Sequence, residues 1–176
     1  RLLKIHWKEA GISEYFTILD SQDQLRIIKR VMKSKNLDDN LYDPKALQSF
    51  INSQKDKGKR HKDVNNDDDK YIEIYKEYDD ACRQTNSVDF ADLILLTYEM
   101  FKNNPQILSY YNKRFQNIMV DEFQDTNTLQ FNLLKLINGN VGSLYAVGDD
   151  DQSIYGWRGA RSRNIQFFKD EFKNVE

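Results

Sequence analysis

Ile118-Met119-Val120-Asp121-Glu122-Phe123-Gln124-Asp125 decides how this chain is read. A short apolar run that stops abruptly at acids reads as a buried strand delivering carboxylates to the border of a sheet. In open α/β sheets, ligands bind at that border, outside the carboxyl ends of the strands. The pattern recurs downstream, where Leu144-Tyr145-Ala146-Val147 leads into Gly148-Asp149-Asp150-Asp151-Gln152. Between the two runs, Thr126 to Asn138 has helical periodicity, with Leu129, Leu133, Leu136 and Ile137 on its inner face and Gly139 at its C-cap. Strand, helix and strand in this order predict a parallel pair joined by a right-handed crossover. Two such strand ends predict a shared site for a divalent cation and a phosphate.

Upstream of Asn117 the periodicity is helical. Ser21-Gln22-Asp23-Gln24 has the form of a capping box, with Ser21 as N-cap, and Leu25, Ile28, Val31 and Met32 follow on one face. The opposite face carries Arg26, Lys29, Arg30 and Lys33, a solvated face or a contact for DNA phosphates. Asp43-Pro44 opens the next helix, with Leu47, Phe50 and Ile51 inward and Gly58 as its stop. Residues 55–70 are nearly devoid of apolar side chains and read as a mobile loop. Lys57, Lys59, Arg60 and Lys62 within it are either solvated or set against a phosphate backbone, and His61 reads as exposed. Tyr71, Ile74, Tyr75, Tyr78 and Cys82 form an aromatic stripe of core type. Asp89 caps a further helix, Phe90 to Phe101, whose apolar residues on more than one side predict deep burial. The fold class that follows is a mostly helical α/β protein: a helical unit over residues 1–116, then part of a parallel sheet over 117–176.

Composition narrows the function classes. The 176 residues are 39% hydrophobic and 31% charged with a formal net charge of -2, so any nucleic-acid contact must come from a local patch. A single cysteine, Cys82, excludes an internal disulfide and fits a reducing, cytoplasmic setting. No apolar run approaches membrane-spanning length. The sequence opens at Arg1 inside a helix-like pattern and is expected to be a piece of a longer protein.

The acidic strand ends carry the chemistry. Adjacent Asp121 and Glu122 can diverge in direction, one toward a magnesium ion and the other toward an attacking water. A carboxylate base beside a metal-neutralised leaving group is a common arrangement for nucleotide hydrolysis. Gln152 is placed to orient a water or to meet a terminal phosphate oxygen. Trp157, set among Gly156, Arg158 and Gly159, is badly placed for a core and well placed, with Tyr155, for stacking on an unpaired base. The plainer alternative has Trp157 and Tyr155 capping the sheet edge. With Trp157 facing a base, Arg158 points elsewhere and can read phosphate charge.

Val120-Asp121-Glu122-Phe123-Gln124-Asp125-Thr126-Asn127 resembles helicase motif II, and Val147 to Ala160, containing Gly148-Asp149-Asp150-Asp151-Gln152-Ser153-Ile154-Tyr155-Gly156-Trp157-Arg158-Gly159, resembles motif III, of the UvrD/Rep family of superfamily 1 DNA helicases. Ile51-Asn52-Ser53-Gln54-Lys55-Asp56, Val88-Asp89-Phe90-Ala91-Asp92-Leu93 and Asn164-Ile165-Gln166 extend the likeness over essentially the whole chain. The resemblance implies an ATP-driven 3′-to-5′ translocase and helicase of DNA repair, acting on single-stranded DNA and on single/double-strand junctions, with repair proteins as possible partners. It implies a helical insertion subdomain followed by part of a RecA-like P-loop NTPase domain. It implies that Asp121 is the Mg2+ residue, Glu122 the catalytic base, Gln152 the sensor of the ATP γ-phosphate, Trp157 and Tyr155 the DNA-stacking pair, and Arg158 the group that couples the two sites. The family's Gly-Lys-Thr phosphate loop does not occur in these 176 residues, so the chain by itself is expected not to hydrolyse ATP. Two other classes stay open on the residues alone: a magnesium-dependent nuclease, and a non-catalytic DNA- or partner-binding module.

Overall fold

A computed structural model describes residues 1–38, 41–65, 69–139 and 142–149. The chain forms two compact units, Arg1–Met100 and a second that begins at Phe101. In the first, α1 (Leu2–Ile5) is followed by β1 (Thr17–Leu19), α2 (Ser21–Ser34), α3 (Pro44–Asp56), α4 (Asp69–Gln84), β2 (Ser87–Asp89) and most of α5 (Phe90–Asn103). The second contains α6 (Pro105–Arg114), β3 (Asn117–Val120), α7 (Thr128–Asn138) and β4 (Ser143–Ala146).

The core of the first unit lies where α2, α3 and α4 meet. Ile28, Val31 and Met32, Leu47 and Ile51, and Ile74, Tyr75, Tyr78 and Cys82 bury one stripe of each helix. Burial pushes the Cys82 thiol up to about 12, so it is a neutral packing group. The α3 start follows its sequence: Pro44 sits in the first turn and the Asp43 carboxylate accepts from Lys45 N at 3.0 Å.

Several expectations are corrected. Residues 1–116 are not wholly helical, because β1 and β2 pair in parallel, Thr17 opposite Ser87 and Leu19 opposite Asp89. Three-residue strands are too short to display a period of two. The cap of α2 is Asp20, whose Oδ1 accepts from Asp23 N at 2.7 Å, and not Ser21. Gln24 is thereby released from capping and turns inward, 4% exposed, to donate to Asn52 Oδ1 at 2.7 Å. Phe90 is 63% exposed, so α5 is not buried all round; Leu95, Met100 and Phe101 carry its buried face.

The charged stretch after residue 55 departs furthest from expectation. Lys55 is on the inner face of α3 with no exposed surface, and its ammonium lies 2.7 Å from both Asp89 and Asp92 and 3.3 Å from Asp79. Arg60 forks onto Glu99, at 2.8 and 2.7 Å, and reaches Asp92 at 2.8 Å. His61 is largely covered, edge-on to Tyr75, with Nδ1 at 3.8 Å from Asp79. Arg60 is therefore an internal cross-link, and neither it nor His61 is an exposed loop group. A short 3-10 turn over His61–Asp63 and the buried Val64 pin the same stretch to the core.

In the second unit, β3 and β4 pair in parallel, Asn117 opposite Ser143 through Val120 opposite Ala146. The connecting helix α7 opens with a reciprocal box: Asn127 N donates to Gln130 Oε1 and Gln130 N to Asn127 Oδ1, both at 2.9 Å. Asn112 of α6 donates to the Leu136 and Ile137 carbonyls at 3.1 and 3.0 Å, so α6 closes the C-terminal end of α7. Gly139 follows with φ +58°, and a side chain there would collide with Asn112. The expectation of fully buried strands is not met. Met119 is 81% exposed and Tyr145 56%, because the described residues cover only one face of the strand pair.

Candidate active site

The end of β3 is a tight, internally bonded turn. Asp121 and Glu122 are both exposed, and Glu122 adopts φ +51°, ψ +44°. A left-handed glutamate costs about 1 to 2 kcal/mol, so the surroundings must hold it there. They do so through the backbone. Phe123 N donates to Val147 O at 3.0 Å, Val147 N to Val120 O at 2.8 Å, and Asp125 N to Glu122 O at 2.9 Å. The parallel ladder thus continues past both strands and carries β3's exit against β4's exit. Beneath the turn, Phe123 is buried edge-on to Phe131 of α7, with ring centroids 6.1 Å apart. Inside the turn the Asp121 carboxylate accepts from Glu122 N at 3.0 Å, and the Thr126 hydroxyl donates to Phe123 O at 2.7 Å.

Gln124 joins the two strand ends. It is 1% exposed. Its Nε2 donates to Glu122 Oε2 at 2.6 Å, and its Oε1 accepts from Asp149 N at 3.0 Å. Gly148 makes this approach possible. A Cβ there would overlap Gln124 Oε1 and stand 3.2 Å from the amide nitrogens of Gln124 and Phe123. Sequence reading passed over Gln124 as the residue following an acidic pair.

Asp121 and Glu122 are brought to one border with Asp149, which is where both acidic runs were expected to converge. Gln152, Tyr155, Trp157 and Arg158 lie outside the described residues, as do Asp150 and Asp151. Among the described residues no group of three or more His, Cys, Asp or Glu side chains is gathered to hold a metal. The donor set that is present, one or two exposed carboxylates at a strand end, fits magnesium, which prefers few protein ligands and shares its sphere with phosphates and water. No Lys or Arg forms an ion pair with Asp121 or Glu122 among the described residues.

A parallel strand–helix–strand unit with carboxylates at its strand ends, following a helical unit, defines an α/β protein that presents charged groups at the carboxyl border of its sheet, where such folds bind ligands. The UvrD/REP helicase N-terminal domain matches residues 1–173, and the chain belongs to that family. It is 48% identical over 177 residues to DNA helicase II of Haemophilus influenzae, covering 98% of this chain and 24% of that protein. It is 46% identical over 180 residues to DNA helicase II of Escherichia coli, covering 100% and 25%. It is 37% identical over 180 residues to the ATP-dependent DNA helicase PcrA of Leuconostoc citreum, covering 99% and 24%. The chain therefore spans about a quarter of the length of the curated relatives it matches. No helix among the described residues is long and apolar enough to cross a membrane.

Proposed function

We propose that this chain belongs to an ATP-driven 3′-to-5′ DNA helicase and translocase of DNA repair, working in the cytoplasm on single-stranded DNA and single/double-strand junctions. The observation that supports the reading best is the exposed Asp121–Glu122 pair, tied through Gln124 to the backbone that enters the second acidic run. Magnesium, when bound, would neutralise phosphate charge as the leaving group departs. Asp121 would hold that ion, directly or through water. Glu122, fixed in its left-handed turn, would accept the proton of the attacking water. Gln152 would meet the γ-phosphate, Trp157 and Tyr155 would stack on bases, and Arg158 would couple the two sites. Residues 1–116 would form the family's helical insertion subdomain with flanking helices, and 117–176 part of its RecA-like ATPase domain.

The Gly-Lys-Thr loop that cradles nucleotide phosphates is not in these 176 residues, so this chain alone should not turn over ATP. The test is phosphate release in the full-length protein. Single-stranded DNA should stimulate it, and Glu122→Gln should abolish it while DNA binding persists. Near-normal turnover by Glu122→Gln would remove the base assignment.

A further inference from the structure

We infer that Gln124 is a positioning residue for Glu122, set by the backbone of the second strand's exit; this rests on the reading of Glu122 as the base. Three observations carry it. The Gln124 side chain is fully enclosed although it bears an amide, and its two ends meet opposite partners: the Glu122 carboxylate at 2.6 Å and the Asp149 amide at 3.0 Å. The partners come from different strands, so the amide spans the sheet border. Gly148 leaves space for nothing larger against the same oxygen. The Asp149 amide fixes which end of the Gln124 amide faces which way, because only Oε1 can accept from a backbone N–H. Nε2 must then point at Glu122 as a donor.

The mechanical consequence is specific. Glu122 is exposed, and an exposed glutamate samples several rotamers. A buried donor holding one carboxylate oxygen leaves the other oxygen as the acceptor with a defined direction. A small displacement of a reacting group costs on the order of 100-fold in rate. Any shift of the backbone at Asp149 moves Gln124 Oε1, and with it the donor on Glu122. Gln124 thus relays the position of the second acidic run to the base without touching nucleotide.

Four full-length proteins separate the outcomes: wild type, Glu122→Gln, Gln124→Leu and Gln124→Asn. Leucine removes both bonds; asparagine keeps the chemistry but falls one methylene short of spanning both partners. Each is measured for kcat and KM for ATP with saturating single-stranded DNA, with rates normalised to the folded fraction. The expected result is a kcat loss of roughly 10- to 100-fold in both Gln124 variants, with KM for ATP within about threefold of wild type, the signature of an interaction felt in the transition state. Gly148→Ala, which crowds the same oxygen from the other strand, should reproduce the kcat loss. A kcat within about twofold of wild type in both Gln124 variants would overturn the inference, as would a loss that disappears on normalisation. If Glu122→Gln abolishes turnover while the Gln124 variants resemble wild type, only this inference fails. If Glu122→Gln itself stays active, the base assignment beneath it fails.

Discussion

Two parallel strands in this chain end in an acid and a turn of helix, and they use the acid in opposite ways. At the end of β2, Asp89 is 2% exposed; it meets Lys55 at 2.7 Å, accepts the Tyr78 hydroxyl at 2.8 Å and caps α5 through Asp92 N at 2.8 Å. At the end of β3, Asp121 and Glu122 are exposed, and among the described residues no cation of the chain pairs with either. The local grammar is the same. The difference lies in whether the fold itself brings the counter-charge. Where α3 delivers Lys55, the acids become structure. Where the turn after β3 brings only a neutral amide, Gln124, the acids keep their charge available for an outside cation.

The cluster around Lys55 is electrostatically lopsided, and the ionisation shifts show how. Burial pulls the Lys55 ammonium down, but Asp92, Asp89 and Asp79 outweigh it and hold it above its ordinary range. Burial pushes Asp92 up, and Lys55 and Arg60 together bring it below the usual carboxylate range. Asp79 goes the other way: burial raises it, and the same two cations do not fully compensate. Its two oxygens accept no hydrogen bond among the described residues. Asp79 is thus the surplus acid of the network.

The largest effect should come from removing the shared cation. Lys55→Met leaves three carboxylates buried with only Arg60 nearby, and breaking a buried pair by deleting one partner costs about 3 to 5 kcal/mol. Urea unfolding of the 176-residue chain checks this. A loss below about 1 kcal/mol would mean that the network is not structural and would dissolve the contrast with β3.

The next effect is smaller and has a sign set by pH. Because the folded-state pKa of Asp79 lies above its unfolded value, its contribution to stability is lost as pH rises from about 3.9 through the folded value. Asp79→Asn has no such loss, so its thermal midpoint should gain on wild type between pH 4 and pH 8. Asp92 has the reverse linkage: its folded-state pKa is depressed, its stabilisation is present above about 3.9 and is lost as pH falls through the folded value. Asp92→Asn should therefore lose most relative to wild type at neutral pH and least in acid. Parallel curves for the two variants would show that both acids are held alike.

How much of this was legible follows from where each signal is stored. The β3 end, the α7 crossover and its Gly139 cap were readable, because apolar periodicity and turn chemistry are local. The Lys55 network was not, because its members come from α3, the turn after it, α4 and the β2–α5 junction, and a charged residue inside a charged run reads as solvated. One local sign existed: Lys55 continues the Leu47–Ile51 stripe at four-residue steps, which places it inward. The half-open strands were misread for another reason. A continuous apolar run records a sheet meant to be covered on both faces, and the chain spans about a quarter of its relatives' length. Gln124 was hidden because its partner across the border is a backbone amide, which no side-chain pattern records.

The smallest effect is also the sharpest test of the comparison. If Asp121 and Glu122 are held for an external cation, neutralising them should cost the fold almost nothing. Their contacts inside the chain are an N–H accepted by Asp121 from Glu122, at solvent, and the part-buried Gln124 amide on Glu122, which a glutamine at 122 can still accept through its own Oε1. Exposed substitutions of this kind stay within about 0.5 kcal/mol. Asp121→Asn and Glu122→Gln should therefore unfold at the urea midpoint of wild type, and relief of repulsion between neighbouring charges should move them upward if at all. Glu122→Gln is the more telling of the two, since its new amide would face the Gln124 donor and force one of them to turn. A loss above about 1.5 kcal/mol in either variant would show the β3 acids to be structural like Asp89. A magnesium titration of the urea midpoint separates the ends further: the cation should raise the wild-type midpoint only through Asp121 and Glu122, so a variant carrying both Asp121→Asn and Glu122→Gln should not respond.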